Sequence, residues 1–336
     1  MTQCHYCEWR CRLDETASGR CRMYLATDGG IRERFPGRWS GYMVARIETI
    51  PFYHAWPGSR CLTIGTVGCN FSCTYCSNAF VAKKDPLDVL PTLYTFTPHE
   101  IVNMAAKLGC HAIVFNVNEP AVSLPTLEQV ADEARRSGIH MGCLTNGYTT
   151  EESTELLAKI FSFINVSLKG LAPEFNRACI GIPSAAPVLR NIRRLAELCH
   201  VEITTPIIQG INDNEIGEIA DFIAGVDRNI PWHVLRLLPE DEMKAADYPD
   251  IETINRTLDS VRSRLAYIYF HNFVGSDWVN TVCPACGETV MERFSLGCGG
   301  DRLQAYSCVD GRCPECHEPI RLAGTFTSWN SGEATS

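Results

Sequence analysis

The sequence predicts an α/β protein built as a partial (β/α)6 barrel, with small cysteine-rich metal-binding appendages at its N- and C-terminal ends. From residue 61, short apolar runs alternate six times with segments whose apolar residues recur three and four apart, and a last apolar run follows. The runs are continuously apolar, as parallel strands buried on both faces require. The chemically unusual residues gather just after the ends of those runs, on the side where barrels carry their sites. A doubly wound open sheet is the alternative arrangement of the same units.

Residues 1–53 carry cysteines and glycines without a long apolar period, and predict a small metal-stapled segment. The barrel is expected over 54–279. Its strands are predicted at 61–67, 112–117, 140–145, 163–168, 200–208, 232–238 and 266–271. Helices are predicted between them at 98–108, 125–137, 151–161, 185–198, 215–226 and 251–265. Pro125 suits a first helical turn and Gly138 a stop, and Asn212-Asp213 reads as a cap before the fifth helix. Each crossover runs to a neighbouring strand with one hand, which curls the sheet. Residues 280–322 form a second cysteine-bearing segment, and 323–336 a Ser/Thr/Gly-rich flexible tail.

Composition narrows the function. The chain has 336 residues, 45% hydrophobic and 21% charged, the balance of a globular protein rather than a disordered one. A net charge of −9 weighs against nucleic acid as a partner, because phosphate backbones need a basic field. Residues 1–60 carry 9 Arg against 6 acids, a local excess that reads as solvated surface. No run reaches the ~18 apolar residues of a membrane helix. The opening MTQCHYCEWRC has no apolar stretch of a secretory signal, so a cytoplasmic protein without membrane partners is expected. Cysteine is the unusual component, at 18 residues, and in a reducing compartment clustered cysteines read as metal ligands. Seven are scattered, Cys61, Cys110, Cys143, Cys179, Cys199, Cys298 and Cys308, and read as small buried hydrophobes.

Directly after the first barrel strand stands Cys69-x3-Cys73-x2-Cys76, with no fourth cysteine nearby. A structural zinc site closes with four ligands, so three thiolates suit a cluster with one iron left open. Three quarters of a zinc site, completed from afar, is the competing reading.

CxxxCxxC with Tyr75 before its last cysteine resembles the signature of the radical S-adenosylmethionine (SAM) enzymes. YHAWPGS, TVGCNF, FNVNEP, LTNGY, INVSLKG and ITTPIIQGINDN look like landmarks of proteins similar to pyruvate formate-lyase activating enzyme, closest to the AmmeMemoRadiSam branch. The likeness covers about residues 4–320, and implies a TIM-like barrel of the radical SAM type. It implies that Cys69, Cys73 and Cys76 hold a 4Fe-4S cluster whose open iron chelates SAM. Tyr75 would lie near the adenine. Asn118-Glu119-Pro120 stands where the family places a motif for the methionine amino group, which needs an acceptor partner. Thr145-Asn146-Gly147 would contact the ribose or carboxylate. Lys169 occupies the second place of an Asp-x-Lys pair whose first place holds Ser167 here. His271-Asn272, after the last strand, could reach the substrate.

The resemblance implies a radical SAM enzyme, oxidoreductase-type, that cleaves SAM reductively to a 5′-deoxyadenosyl radical for hydrogen abstraction. A flavodoxin or ferredoxin would supply the electron, and anaerobic handling is expected. The substrate could be a partner protein activated at a glycine, or a peptide, metabolite or RNA. A non-catalytic metal-binding or electron-transfer protein is the reading from another class.

Two further cysteine sets flank the barrel. Cys283-x2-Cys286 and Cys313-x2-Cys316 form two knuckles of a zinc ribbon, where iron of the rubredoxin kind would use the same ligands. A reactive disulfide pair is a further reading. Cys4, Cys7, Cys11 and Cys21 support a bound metal whose identity stays open between zinc, a single iron and a second cluster, with His5 a poor fifth candidate.

Overall fold

In the computed structural model, which describes residues 1–328, eight strands form one sheet in strict sequence order. They are β1 (Gly41–Arg46), β2 (Arg60–Gly65), β3 (Ala112–Phe115), β4 (His140–Thr145), β5 (Phe163–Ser167), β6 (His200–Ile207), β7 (Trp232–Arg236) and β8 (Ile268–His271). β2 through β8 pair in parallel, while β1 runs antiparallel along the outer edge of β2. β1 lies inside the segment expected as an appendage, so the sheet begins earlier than the periodicity of residues 1–60 predicts. The order never reverses, whereas a doubly wound sheet must reverse at a switch point.

The crossovers carry α1 (Pro98–Lys107), α2 (Leu124–Arg136), α3 (Glu151–Ile160), α4 (Ala186–Leu198), α5 (Ile216–Asp227) and α6 (Ile251–Val261). Local chemistry sets their starts. Thr97 and Glu100 form a reciprocal capping box, and Thr150 and Asp250 accept from Ser153 N and Thr253 N. In α2 the stripe Leu127, Val130, Ala131 and Ala134 is buried against the sheet, each large side chain contributing about 1.5–3 kcal/mol. The expected cap at Asn212 takes another form. Its Oδ1 accepts from Ile208 N, and its Nδ2 donates to Pro206 O and Lys169 O at 2.8 Å each. A side chain so placed ties the ends of β5 and β6 together and leaves the start of α5 without a side-chain cap.

The N-terminal residues form two small antiparallel hairpins, Thr2–Gln3 with Arg12–Leu13 and Tyr24–Thr27 with Gly30–Glu33. Leu13, Met23 and Tyr24 share a second apolar core with Val67 and Val81, so this segment packs on the loop that follows β2. After β8, three antiparallel strands, β9 (Thr281–Val282), β10 (Thr289–Ser295) and β11 (Asp301–Tyr306), make a separate small sheet. Its Arg293 is buried against the segment between β1 and β2, with Nη2 donating to Tyr53 O at 2.9 Å and the guanidinium 4.1 Å from the Tyr53 ring centroid. The stretch expected as a tail is pinned as far as Thr327. Trp56 N donates to Ala323 O, Ala323 N to His54 O and Thr327 N to Pro57 O. Residues 329–336 lie outside the described residues. Among the scattered cysteines, Cys61 and Cys143 are fully buried, but Cys298 is exposed.

Candidate active site

The ends of β3 through β8 and the loop after β2 line one cavity of about 370 Å³. Curling of the sheet brings these distant residues together, since Cys69, Glu119, Asn146, Lys169, Thr204 and Asn272 come from six different strand ends. The volume falls in the range of small-molecule sites.

The loop 66–78 reaches the cavity through bonds made by other elements. Asn118 Oδ1 accepts from Thr66 N at 2.9 Å, and its Nδ2 donates to Val67 O and Gly68 O at 3.1 and 2.9 Å. Ser72 N and Thr74 N donate to Ile180 O and Cys179 O. Gly68 sits at φ +77°, and a Cβ there would meet Cys21 O at 2.8 Å. Only glycine allows that approach at low cost. Phe71 N then donates to Cys69 Sγ at 3.4 Å. Lys83 Nζ reaches Cys73 O at 3.2 Å and pairs with Asp241 at 2.6 Å, which ties the loop after β7 to the cysteine loop.

Glu119 is buried and fixes the other side. Its Oε1 accepts from Ala121 N and Thr145 Oγ1 at 3.1 and 2.8 Å, and its Oε2 from Asn146 N at 2.7 Å. Burial pushes its carboxyl up to about 7, against these hydrogen bonds and the positive charge of Lys169. Asn146 Nδ2 donates to Asn70 Oδ1 at 2.7 Å and lies 3.8 Å from Cys69 Sγ. Gly147 N donates to Thr145 Oγ1. Pro120 is buried in the first turn after Glu119, and Lys169 Nζ stands 5.6 Å from the Tyr75 ring centroid. Burial pushes all three loop thiols up, and Lys169 and Lys83 oppose this at Cys73 and Cys76.

Of the residues singled out for this site, Cys69, Cys73, Tyr75, Cys76, Asn118, Glu119, Thr145, Asn146 and Lys169 line the one cavity, while Pro120 and Gly147 do not. Those that line it divide by state. The side chains of Asn118 and Thr145 are already bonded within the protein. Tyr75 Oη is buried and has no hydrogen-bond partner among the described residues. Asn116 Oδ1 and Thr204 Oγ1 line the same cavity in the same condition. Buried polar atoms rarely go unpaired, so these three mark where a polar ligand completes the site. Sequence reasoning did not single out Asn116 and Thr204, although both lie inside quoted landmark stretches, FNVNEP and ITTPIIQGINDN, where each reads as part of an apolar run. His271 faces away from this role. Its Nδ1 lies 2.8 Å from Asp301 and its Nε2 3.2 Å from His233 Nδ1, while its neighbour Asn272 lines the cavity.

Sulfur spacing separates the cysteine sets. Thiolates on one ion at about 2.3 Å stand no more than about 4.6 Å apart. Among the described residues, the one group of three or more ligand atoms within 4.8 Å of one another is Cys283, Cys286, Cys313 and Cys316. Cys69, Cys73 and Cys76 are spread more widely. That excludes one shared ion in this arrangement and fits anchors of a multi-iron cluster.

Residues 63–223 match the model of the Radical SAM superfamily. The family implies a 4Fe-4S cluster and SAM, and the three spread thiols beside a cavity with unpaired polar atoms fit both. The chain is 28% identical to the uncharacterized protein MJ0808 of Methanocaldococcus jannaschii, over 95% of each chain. It is 28% identical to a probable GTP 3′,8-cyclase of Methanosarcina mazei, over 61% of this chain and 62% of that protein. It is 32% identical to the isethionate sulfite-lyase activating enzyme of Oleidesulfovibrio alaskensis, over 35% of this chain and 39% of that one. The chain therefore spans nearly all of the first relative and less than two thirds of the other two. Among the described residues, no helix is long and apolar enough to cross a membrane.

Two outcomes are expected. Ionising Glu119 in the folded chain costs stability as pH climbs from its ordinary 4.5 to about 7, because the unfolded chain releases its proton first. Glu119→Gln lacks that titration, so in denaturant unfolding the variant gains stability relative to wild type across this window and levels off above it. A flat difference would mean an unburied carboxylate. Thr204→Val removes an unpaired hydroxyl, so the variant's stability holds or rises by up to about 1 kcal/mol while SAM cleavage slows several-fold. A lowered melting temperature would show that the hydroxyl is bonded within the fold.

Proposed function

We propose that this chain is a radical SAM enzyme working on a partial (β/α)6 barrel, and that Cys69, Cys73 and Cys76 hold its 4Fe-4S cluster. The observation that carries this reading is the set of three thiols, too far apart for one ion, at the rim of a cavity lined by unpaired polar atoms. A cluster held there supplies the electron that splits SAM's carbon–sulfur bond and yields a 5′-deoxyadenosyl radical.

The chain's own residues bind and orient. Lys169 and Lys83 place positive charge beside Cys73 and Cys76, offsetting the cost of buried thiolates. Glu119, already the acceptor of three bonds, holds Thr145-Asn146-Gly147 at the wall where the ribose and carboxylate of SAM would lie. One lone pair of its Oε2 remains for the methionine ammonium. The Tyr75 ring, with Lys169 over it, forms the wall near the adenine. Asn116 and Thr204 offer acceptor and donor groups deeper among the strand ends.

For the substrate, local likeness to an activating enzyme supports hydrogen abstraction from a partner protein, with a flavodoxin or ferredoxin as reductant. A nucleotide or other small metabolite is the second reading, favoured by the longer match to a GTP 3′,8-cyclase. In the C-terminal segment, Cys283 and Cys316 approach to 3.5 Å and Cys286 and Cys313 to 3.6 Å, a set suited to structural zinc.

The test is anaerobic incubation of reconstituted protein with dithionite and SAM, reading 5′-deoxyadenosine. Wild type is expected to produce it and Cys73→Ala to lose at least 100-fold. Full activity in the variant would overturn the assignment, and no product from an intact wild-type cluster would indicate a binding protein. Cys286→Ala is expected to release zinc and lower the melting temperature by several degrees while cleavage survives. Unchanged metal content would remove the zinc assignment.

A further inference from the structure

We propose that Cys4, Cys7, Cys11 and Cys21 hold a second iron–sulfur cluster, ligated entirely by protein and set against the loop that carries Cys69. This goes beyond the reading of the barrel site and rests on different residues.

All four cysteines line one cavity, small enough to take about one water at 10 Å³. Thiolates sharing a single ion leave no gap of that size between them, and no three of these sulfurs fall within 4.8 Å of one another. The ribbon cysteines of the same chain do gather that closely, so the contrast is between two arrangements in one molecule. Sulfurs standing around a void are the arrangement of ligands that bind different irons of one cluster, for which four cysteines are the usual set.

Hydrogen bonding marks the same four sulfurs as ligands, as it does the ribbon cysteines, where backbone N–H groups also face Cys286, Cys313 and Cys316. The void and the sulfur spacing are what separate cluster from single ion. Arg20 N donates to Cys11 Sγ at 3.4 Å. The backbone N–H groups of Tyr6, Trp9 and Met23 lie where they oppose the upward push of burial on the Cys4, Cys7 and Cys21 thiols. A neutral thiol is a weak acceptor, whereas metal-bound sulfur collects such N–H groups. All four sulfurs facing one is a ligand pattern. The barrel loop repeats it, with Phe71 N donating to Cys69 and Asn78 N to Cys76. Gly19, at φ +67°, leaves the room, since a Cβ there would sit 2.9 Å from Cys11 Cβ.

The two sulfur sets meet at Asn70, which is buried and lines the N-terminal cavity. Its side chain lies near enough to Cys7 to oppose the upward push of burial on that thiol, and it accepts from Asn146 Nδ2, which lies beside Cys69. Its carbonyl accepts from Trp9 Nε1 at 2.8 Å. The two sites are thus separated by little more than one side chain.

The experiment is iron, acid-labile sulfide and zinc analysis of anaerobically purified protein lacking Cys69, Cys73 and Cys76 (all to Ala). Iron and sulfide in equal amounts, with an electron paramagnetic resonance signal after reduction, are expected. Adding Cys11→Ser and Cys21→Ser should abolish the sulfide. A sulfide-free triple variant, or a second equivalent of zinc beyond the ribbon's, would overturn the proposal. Should the triple variant fail to fold, Cys11→Ser with Cys21→Ser in otherwise native protein decides the matter. Sulfide is then expected to fall to roughly half, and undiminished sulfide would refute the second cluster. Since the first variant lacks the barrel anchors, this outcome is independent of whether the barrel site cleaves SAM.

Discussion

Two adjacent side chains at the end of β3 hold the walls on either side of them. Asn118 bonds the backbone of Thr66, Val67 and Gly68, and Glu119 bonds the backbone of Asn146 and the hydroxyl of Thr145. Parallel strands deliver loops to one rim, but nothing in a ladder fixes how a loop turns once it leaves the sheet. Side-chain bonds to loop backbone supply that constraint, and in a buried setting each is costly to leave unmade. The cysteine loop and the Thr145–Gly147 loop are therefore set by the strand between them. Asn212 and Glu215 do the corresponding work further round the rim, where Glu215 accepts from Leu171 N and Ala172 N beyond Lys169.

Periodicity in the sequence was enough to order the strands and helices, because continuous apolar runs and 3.6-residue stripes are imposed by burial alone. The motifs after the runs marked the rim for the same reason that loops carry function. What stayed hidden depends on tertiary direction. Asn118 and Thr145 look like ligand-binding residues in one dimension, yet their side chains are spent on neighbouring loops. Asn116 and Thr204 look like polar interruptions of strands, yet they carry the unpaired atoms of the cavity. β1 escaped notice because a single edge strand in a polar, glycine-rich segment has neither a period nor a following helix.

The attachment of the C-terminal sheet was equally hidden, being built from residues scattered across the chain. Glu202 accepts from Tyr53 N, His54 N, His200 and His233, the last at 2.6 Å. Burial alone would push this carboxyl up, but the two histidines outweigh it and hold it well below the usual range. Burial in turn pushes His233 down. From His233 the chain of bonds runs to His271 and then to Asp301, which also accepts from Tyr53 Oη at 2.6 Å. A buried line of this kind contributes less net stability than an apolar core would, and its value lies in fixing one docking position.

One residue type serves three spacing regimes in this chain, and backbone geometry explains the difference. In each ribbon knuckle a tight turn closes on itself, with Gly287 N donating to Cys283 O and His317 N to Cys313 O. Gly287 and His317, each just after the second cysteine of its pair, both take positive φ, which turns the chain back as it leaves the knuckle. Two such turns facing one another bring four sulfurs into a tetrahedron. In the loop after β2, Ser72 N and Thr74 N instead donate to the backbone of residues 179–180, on either side of Cys73, and the three sulfurs are held apart. The N-terminal four lie on two hairpin segments joined by a shared apolar core and by Ala26 N donating to Asp14 O, and their sulfurs line a small void rather than closing one turn. Sequence spacing alone marks all three sets as metal ligands. How many metal atoms each set can share follows from which backbone the intervening residues bond to.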